Sequence, residues 1–431
     1  MWFKKYLSYV FIFTVITAAA QPRPNIIYIM ADDLGYADLS CYGRLDYQTP
    51  NLDKLASQGV KFTNAYAGAP LCTPTRTSFM TGRYPARTPV GLREPLVDST
   101  VGLTPAYPSL PTLLKKTGYE TYLVGKWHLG FMQQFSPLQN GFDEFFGFHG
   151  GAIDYISHTD PKGNGDLYEN GKLITREGYM TDLLMEKAVE IIRRHHAKPF
   201  FLSLMFNAPH WPWQAPGDKP YPDTMTWISG GSPTIYAAMV KSMDDAVGTI
   251  MKTLDEEKLS ANTVVIFTSD NGGEKFSDMG GFSRKKSHLW EGGIREPAFI
   301  RWPGKIRAGS VTDQPAITMD WMATILTLAR AKPDPRFPLD GIDLMPVCLG
   351  KKKIIPRTFY WRAFQRTQQK AIREGDWKYL KDEKGEYLFN LSKDPGEQND
   401  LKEKEILIFQ KLKQKYSKWE KTVLEPVPLG K

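Results

Sequence analysis

Four short apolar runs in this chain end in residues able to do chemistry. Asp32 and Asp33 follow NIIYIMA, Lys126 and His128 follow TYLVG, His210 follows FLSLMFNAP, and Asp270 and Asn271 follow VVIFTS. Paired carboxylates and an Asp-Asn pair offer oxygen ligands only. A hard divalent cation takes roughly six to eight of them, so the set suits Ca²⁺, with Mg²⁺ as the alternative. His128 in GKWHLG and His210 in APHWPW each sit beside Gly or Pro at the end of a run, which favours acid/base roles. The histidines are too few and wrongly spaced for a two-zinc centre. His195 and His196, on a helix end rich in cations, read as hydrogen-bonded structural residues.

A second focus is LCTPTRTSFMTGRYP, residues 71–85, which holds one of the chain's 3 cysteines, Cys41, Cys72 and Cys348. Thr73 reads as an N-cap and Pro74 as the first helical residue. Cys72 is then expected just before a helix N-terminus, where backbone N–H groups favour an anion. Arg76, one turn on, faces the same point. A thiolate nucleophile is chemically open to this position, yet the chain has no Cys-His-Asn signature for one. Three cysteines cannot build a disulfide framework.

These residues meet only if the fold brings the run ends together. Apolar β-branched runs alternate with segments of helical period, the order of a mainly parallel sheet flanked by helices. NLDKLASQGV (51–60) reads as a helix capped by Asn51; SLPTLLKKTG, MTDLLMEKAVEIIRRHH, TIYAAMVKSMDDAVGTIMKTLDEEK and MDWMATILTLA read as further helices. In a parallel sheet the ends carrying Asp32, Lys126, His210 and Asp270 share the carboxyl edge, where such folds bind ligands. From about Arg357 come short strands with turns, TFYWRAF, KAIREGDWKYL and EYLFNLSKDPGE, then a charged helix from about Asp400. The expected organisation is an α/β domain over 21–346 and a smaller antiparallel sheet plus helix over 347–431. Stretches near 216–233 and 332–346 read as long surface loops.

The 431 residues, 42% hydrophobic and 13% aromatic, can bury a large core. Residues 1–20 differ in character. MWFKK is a basic start, YLSYVFIFTVIT is shorter than the roughly 20 residues of a spanning helix, and AAAQ supplies a small-residue cleavage site. This is the pattern of an export signal. No later run is long and apolar enough to span a bilayer, and no Cys follows the run to carry a lipid, so a soluble periplasmic or secreted protein is expected, without membrane contact after cleavage. The formal charge is +8, including Lys4 and Lys5 of that signal, and a mildly basic exported protein often meets acidic material. No nucleic-acid module or basic repeat is present.

C-T-P-T-R followed by M-T-G-R matches the C-x-P-x-R…(L/M)-T-G-R signature of type I sulfatases, so the chain resembles that family, in which the Cys is oxidised to formylglycine (3-oxoalanine) before folding. Supporting motifs run from Asn25 to Glu296, and YLFNLSKDPGEQNDL is a sulfatase-like tail. The resemblance implies a fold of the alkaline phosphatase superfamily type. It implies a sulfuric ester hydrolase matured by a formylglycine-generating or anaerobic sulfatase-maturating enzyme. Residue by residue, it assigns Asp32, Asp33, Asp270 and Asn271, with the modified Cys72, to one Ca²⁺. Arg76 and Lys126 are implied to hold the formylglycine hydrate, and His128, His210 and Lys286 to touch sulfate or shuttle protons. The family's Lys-Gly-Thr before Glu-Gly-Gly is here KKSHLWEGG, so Lys285 or His288 competes with Lys286 for that place. In the implied mechanism one hydrate oxygen attacks sulfur, His210 protonates the leaving alkoxide, and His128 deprotonates the second hydroxyl, which expels sulfate.

Substrate selection is less marked. Trp211 and Trp213 in HWPW suit either stacking on sugar faces or core packing. His149, Asp154 and His158 in GFHGGAIDYISH, with Arg362 and Arg366 in YWRAFQR, are further candidates for holding an anionic or hydroxylated leaving group. The expected substrate is a sulfated sugar or the end of a sulfated polysaccharide. Alternatives are a phosphomonoester or phosphonate monoester hydrolase of the same superfamily, and an exported glycan-binding protein without turnover.

Overall fold

A strand covered on both faces reads as a continuous apolar run, and β1 (Asn25–Ala31) is buried along its whole length. A computed structural model describes residues 23–194, 196–221, 224–363 and 368–426. The expected export signal, His195 and Arg366 lie outside the described residues. In chain order β1 is followed by β2 (Val60–Tyr66), β3 (Glu120–Lys126), β4 (Glu144–Phe148), β5 (Tyr168–Glu169), β6 (Lys172–Leu173), β7 (Phe200–Met205), β8 (Thr263–Ser269), β9 (Arg295–Arg301), β10 (Ser310–Thr312) and β11 (Ala316–Ile317). They form one sheet of order β10-β2-β9-β8-β1-β7-β3-β4-β5-β6, with β11 paired to β2. The central strands β8, β1, β7, β3 and β4 run parallel. The ends of β1, β3, β7 and β8 therefore share one edge, as the sequence pattern requires.

Alternation along β1 divides the core. Ile27 and Ile29 pack with Leu184 and Ile191 of the helix Met180–Arg193 and with Met243 and Val247 of the helix Pro233–Glu256. Ile26, Tyr28 and Met30 face Phe79 of the helix Cys72–Thr81 and Trp321 of the helix Thr318–Leu328. Each fully buried large apolar side chain contributes about 1.5–3 kcal/mol, so both faces hold the sheet firmly beneath its polar edge. At Gly125 (φ +112°) a Cβ would lie 1.9 Å from the Met205 carbonyl oxygen, so only glycine lets β3 approach β7 as it does. Lys126 projects from the next residue.

Three local expectations change. The first helix is Pro50–Ser57 after Thr49, and the Asn51 amide donates to Asp244 Oδ2 at 2.8 Å instead of capping. Proline at the first helical position marks that start. β2 is an additional strand, hidden in the sequence because a register shift between Phe62 and Ala65 breaks its alternation. The charged helix begins later, as Ile406–Glu420. Asp400 holds a turn ahead of it, accepting at 3.0 Å from the N–H groups of both Leu388 and Lys402.

The smaller sheet is antiparallel, with β12 (Thr358–Ala363), β13 (Gln369–Glu374), β14 (Trp377–Lys381) and β15 (Glu386–Asn390) in that order. One face packs on the helix Ile406–Glu420 through Phe409, Leu412 and Tyr416. The other places Trp361, Ala371, Leu380 and Phe389 against Leu289, Trp290, Ile317 and Met319. Among the described residues no helix is long and apolar enough to cross a membrane.

A buried charge cluster joins this sheet to the larger one. Lys378 Nζ on β14 lies 2.9 Å from Glu291 Oε1 and 2.8 Å from Glu397 Oε1. Burial alone would raise the Glu291 carboxyl, but Lys378, Arg295 and Arg373 outweigh it and hold it at about 2. At Glu397 burial wins over Lys378, and the carboxyl is pushed up to about 7. Glu397 thus binds its proton more tightly folded than unfolded: its contribution to stability is complete below pH 4.5 and is lost as pH rises through 7. Glu291 has the opposite sign, its contribution being present above pH 4.5 and lost as pH falls through 2. Replacement Glu397→Gln is expected to shrink the drop in Tm between pH 4.5 and pH 7, read by thermal unfolding at both values. Lys378→Met leaves Glu397 without its cation and Glu291 with Arg295 at 3.3 Å, and should cost about 3–5 kcal/mol in denaturant unfolding at pH 7.

Candidate active site

The carboxyl edge gathers three buried carboxylates and gives each a cation. Lys126, the last residue of β3, places Nζ 2.5 Å from Asp32 Oδ2. Lys286 Nζ lies 2.6 Å from Asp33 Oδ2. Arg76 donates from Nε and Nη2 to Asp270 Oδ2 at 3.1 and 3.0 Å, with Nη2 3.6 Å from Asp32 Oδ1. The backbone fixes the acids: Asp32 N–H donates to the Ala208 carbonyl, Asp270 N–H to the Ala31 carbonyl, and Asp33 N–H to Asp270 Oδ1, each at 3.1 Å. Asp33 adopts a left-handed conformation (φ 61°), which turns its side chain off the line of β1.

Cys72 lies over this group, its Sγ 3.4 Å from Asp32 Oδ1. The helix starts at Cys72 itself, with Leu71 preceding it, two residues earlier than expected. Thr73 is not its cap; the Thr73 hydroxyl donates to the His128 carbonyl at 3.0 Å and so ties the helix start to the end of β3. Arg76 points to the same acids, one turn on. Burial first, and then Asp270, push the Cys72 thiol well above its ordinary value, which disfavours a thiolate nucleophile.

His210 Nδ1 lies 2.5 Å from the Trp211 carbonyl, which can only accept, so Nδ1 carries a proton and Nε2 faces Asp33 Oδ2 at 3.5 Å. His128 has both ring nitrogens buried without a hydrogen-bond partner among the described residues. A Cβ on Gly151 would come within 2.7 Å of His128 Nε2, so the glycine leaves that edge of the ring open. Burial, with Lys126 for His128 and Lys286 for His210, depresses both imidazoles well below their usual range. Lys286 reaches the cluster, whereas Lys285 is exposed and His288 contacts backbone carbonyls of its own loop. The Lys286 N–H donates to Gly273 and the Ser287 N–H to Pro70, which pins that loop beside β8 and the Cys72 helix.

The donor set suits a hard cation. Ligand atoms of Asp32, Asp33, Cys72 and His210 all lie within 4.8 Å of one another. Asn271 donates through Nδ2 to Asp33 Oδ1 at 2.7 Å, while its Oδ1 is buried without a partner. Burial pushes the Asp33 carboxyl up to about 8 despite Lys286, and burial followed by Asp32 raises Asp270. Carboxylates this crowded and dry are the ones a divalent cation stabilises.

A cavity of about 470 Å³ opens above the cluster, with Cys72, His128, His210 and Lys286 at its floor and Trp211 in its wall. The other expected substrate residues among those described are engaged elsewhere. Trp213 is buried edge-on against Phe276. His149 packs between Phe145 and Tyr168, and burial lowers it to about 4. Asp154 accepts from Gln214 Nε2 at 2.8 Å and the Tyr221 N–H at 3.0 Å. His158 Nε2 meets the Gly178 carbonyl at 3.0 Å, and Arg362 donates to the Leu424 carbonyl. None of these five lines the cavity. His196 is held between Glu120 and the Ile191 carbonyl, in keeping with a structural role. The cavity wall instead includes Glu94, Leu96, Phe131, Asp160, Lys162 and Glu274. Glu274 was within reach of sequence reasoning, since it follows Asp270-Asn271-Gly-Gly directly; the others sit on loops whose composition carries no signal.

Comparison with known proteins agrees with this geometry. The Sulfatase family model matches residues 24–331, and the model described as N-sulphoglucosamine sulphohydrolase, C-terminal, matches residues 280–422. The N-acetylgalactosamine-6-sulfatase of Rattus norvegicus is 37% identical over 374 residues, covering 81% of this chain and 70% of that one. Arylsulfatase J of Mus musculus is 31% identical over 468 residues, covering 94% and 77%. The crystal structure of Ps i-CgsB in complex with k-i-k-neocarrahexaose aligns with a TM-score of 0.85 at 32% identity, over 95% of each chain. The large mainly parallel sheet and the small antiparallel one are the architecture of that structure, and the chain belongs to the sulfatase family as a sulfuric ester hydrolase.

Proposed function

We propose that the protein, exported by its N-terminal segment, removes sulfate from a sulfated sugar, using a formylglycine made from Cys72 and one Ca²⁺. The observation that carries this reading is the convergence of Lys126, Lys286, Arg76, His128 and His210 on Cys72 and three buried carboxylates. The oligosaccharide in the similar Ps i-CgsB structure and the amino-sugar sulfate in the name of the rat relative support a carbohydrate leaving group. Asp32, Asp33, Asp270 and Asn271 would hold the cation. The orphaned Asn271 oxygen and the raised Asp33 carboxyl support that assignment. Ca²⁺ and the hydrated formylglycine would supply a Lewis acid and an oxygen nucleophile for attack at sulfur.

The chain's own side chains do the rest. Lys126 and Lys286, held at the floor by Asp32 and Asp33, neutralise charge on the sulfate oxygens. Arg76, fixed by two bonds to Asp270, orients residue 72 from one helical turn away. His210 presents Nε2 to the leaving oxygen; the bound sulfate's charge favours the imidazolium, which then donates its proton there. His128, with no competing hydrogen bond, takes the proton from the oxygen on residue 72.

In protein matured by a formylglycine-generating or anaerobic sulfatase-maturating enzyme, mass spectrometry of the Cys72 peptide should find sulfur replaced by oxygen with loss of two hydrogens. An unmodified thiol in active enzyme would overturn the mechanism. His210→Ala should lower kcat about 10²–10⁴-fold and Lys126→Ala about 10²–10³-fold. Chelation should abolish activity and Ca²⁺ restore it. A higher kcat/KM on the phosphate ester than on the sulfate ester of one alcohol would favour a phosphomonoester hydrolase, and glycan binding without turnover by matured protein would favour a binding protein.

A further inference from the structure

Beyond the cationic floor, the cavity changes sign. Its wall carries the carboxylates of Glu94, Asp160 and Glu274 against the cation of Lys162, with the rings of Trp211 and Phe131 beside them. Asp160 is occupied in shaping its loop, its Oδ1 accepting from the N–H groups of Lys162 and Asn164 at 2.8 Å. Glu274 differs. Its backbone is fixed by the Glu274 N–H to Ser277 Oγ bond at 3.1 Å, and its side chain keeps 27% exposure. Oε1 stands 3.9 Å from Lys286 Nζ, too long for a hydrogen bond, while Lys286 has its close partner in Asp33 at 2.6 Å. The Glu274 carboxylate is therefore not needed to balance the floor, and it stands beside the cation assigned to sulfate.

We propose that Glu274 reads the leaving group, a proposal that rests on the sulfatase reading above. Its carboxylate accepts a hydrogen bond from a hydroxyl on the ring carbon next to the sulfate ester. A carboxylate can only accept, so the matching group must be a donor. The Trp211 ring, centred 4.6 Å from that of His210, offers the flat face on which the same sugar stacks. A ring bearing a second sulfate or a carboxylate at that carbon would bring an anion against Glu274 and an acidic wall, and like charges at that range repel strongly. The site thus selects a singly sulfated, otherwise uncharged sugar ring. A doubly sulfated ring must first lose its other sulfate to a different sulfuric ester hydrolase.

The test compares kcat/KM of the matured enzyme and of Glu274→Gln and Glu274→Asp on three esters. These are a neutral monosaccharide sulfate with a free neighbouring hydroxyl, the same ring carrying a second sulfate at that carbon, and phenyl sulfate, which has no such hydroxyl. Wild type should prefer the neutral sugar to the disulfated one by more than tenfold. Glu274→Gln should lose about 10- to 100-fold more on the neutral sugar than on phenyl sulfate, the range for a hydrogen bond to a charged group, and should narrow the gap to the disulfated ring. Glu274→Asp should recover part of the preference. Equal losses on the sugar and phenyl esters, or wild type cleaving the disulfated ring as fast as the neutral one, would overturn the assignment while leaving the sulfatase reading intact. No turnover of any sulfate ester by matured wild type would overturn both.

Discussion

Charge buried at the carboxyl edge of the sheet is the constraint on which this molecule is built. Asp32, Asp33 and Asp270 are essentially dry, and an ionised carboxylate is stable in such a place only with a cation in contact. Those cations arrive from three separate segments: Lys126 from the end of β3, Lys286 from the loop after β8, and Arg76 from the helix beneath Cys72. Each pair therefore fastens one segment to the sheet edge. The same groups form a preorganised field for an anionic substrate, because their positions are already fixed by pairing before any ligand enters.

Much of this was legible in the sequence because edge residues break the apolar pattern abruptly. Asp32, Lys126, His210 and Asp270 each interrupt a run that otherwise reads as buried strand, and a parallel sheet leaves one place for all of them. What the pattern could not carry were features decided by tertiary contact. The Asn51 amide is drawn to Asp244 on a distant helix, and β2 is recognisable from its partners β9, β10 and β11. The substrate wall was harder still. Trp213, Asp154 and His158 are residue types that bind sugars as readily as they fill cores or staple loops, and here they do the latter. Of the expected substrate residues among those described, Trp211 faces the cavity.

The small sheet also belongs to the site's physics. The loop that delivers Lys286 is gripped from the C-terminal side: Leu289 N–H donates to Gln369 Oε1 at 2.7 Å, Gln369 Nε2 to the Ser287 carbonyl at 2.9 Å, and Glu291 N–H to Glu397 Oε2 at 2.6 Å. Ser283 Oγ donates to the Gly396 carbonyl at 2.6 Å. A long loop between β8 and β9 would otherwise sample many positions for Lys286. Its order is set by residues of the small sheet and the turn after it, 80 to 113 positions later, so the floor of the cavity and the charged seam around Lys378 are one structural unit.

That dependence on later residues bears on how Cys72 acquires its chemistry. In the folded chain Cys72 is 3% exposed and shares the cavity floor with groups that follow it in sequence, His128, His210 and Lys286. A maturing enzyme that reads the peptide around Cys72 cannot grip it in the fold, where every residue of the helix Cys72–Thr81 is buried. In the extended chain, before β3, β7 and β8 assemble, the segment 71–85 is an accessible peptide with its Cys, Pro and Arg in local register. If residue 72 is converted as proposed, burial makes the order of events a physical requirement: modification first, then closure of the charged edge over it. On that reading the sequence signature around Cys72 is one to be read as a linear motif, which accounts for so short a stretch carrying so much of the functional signal.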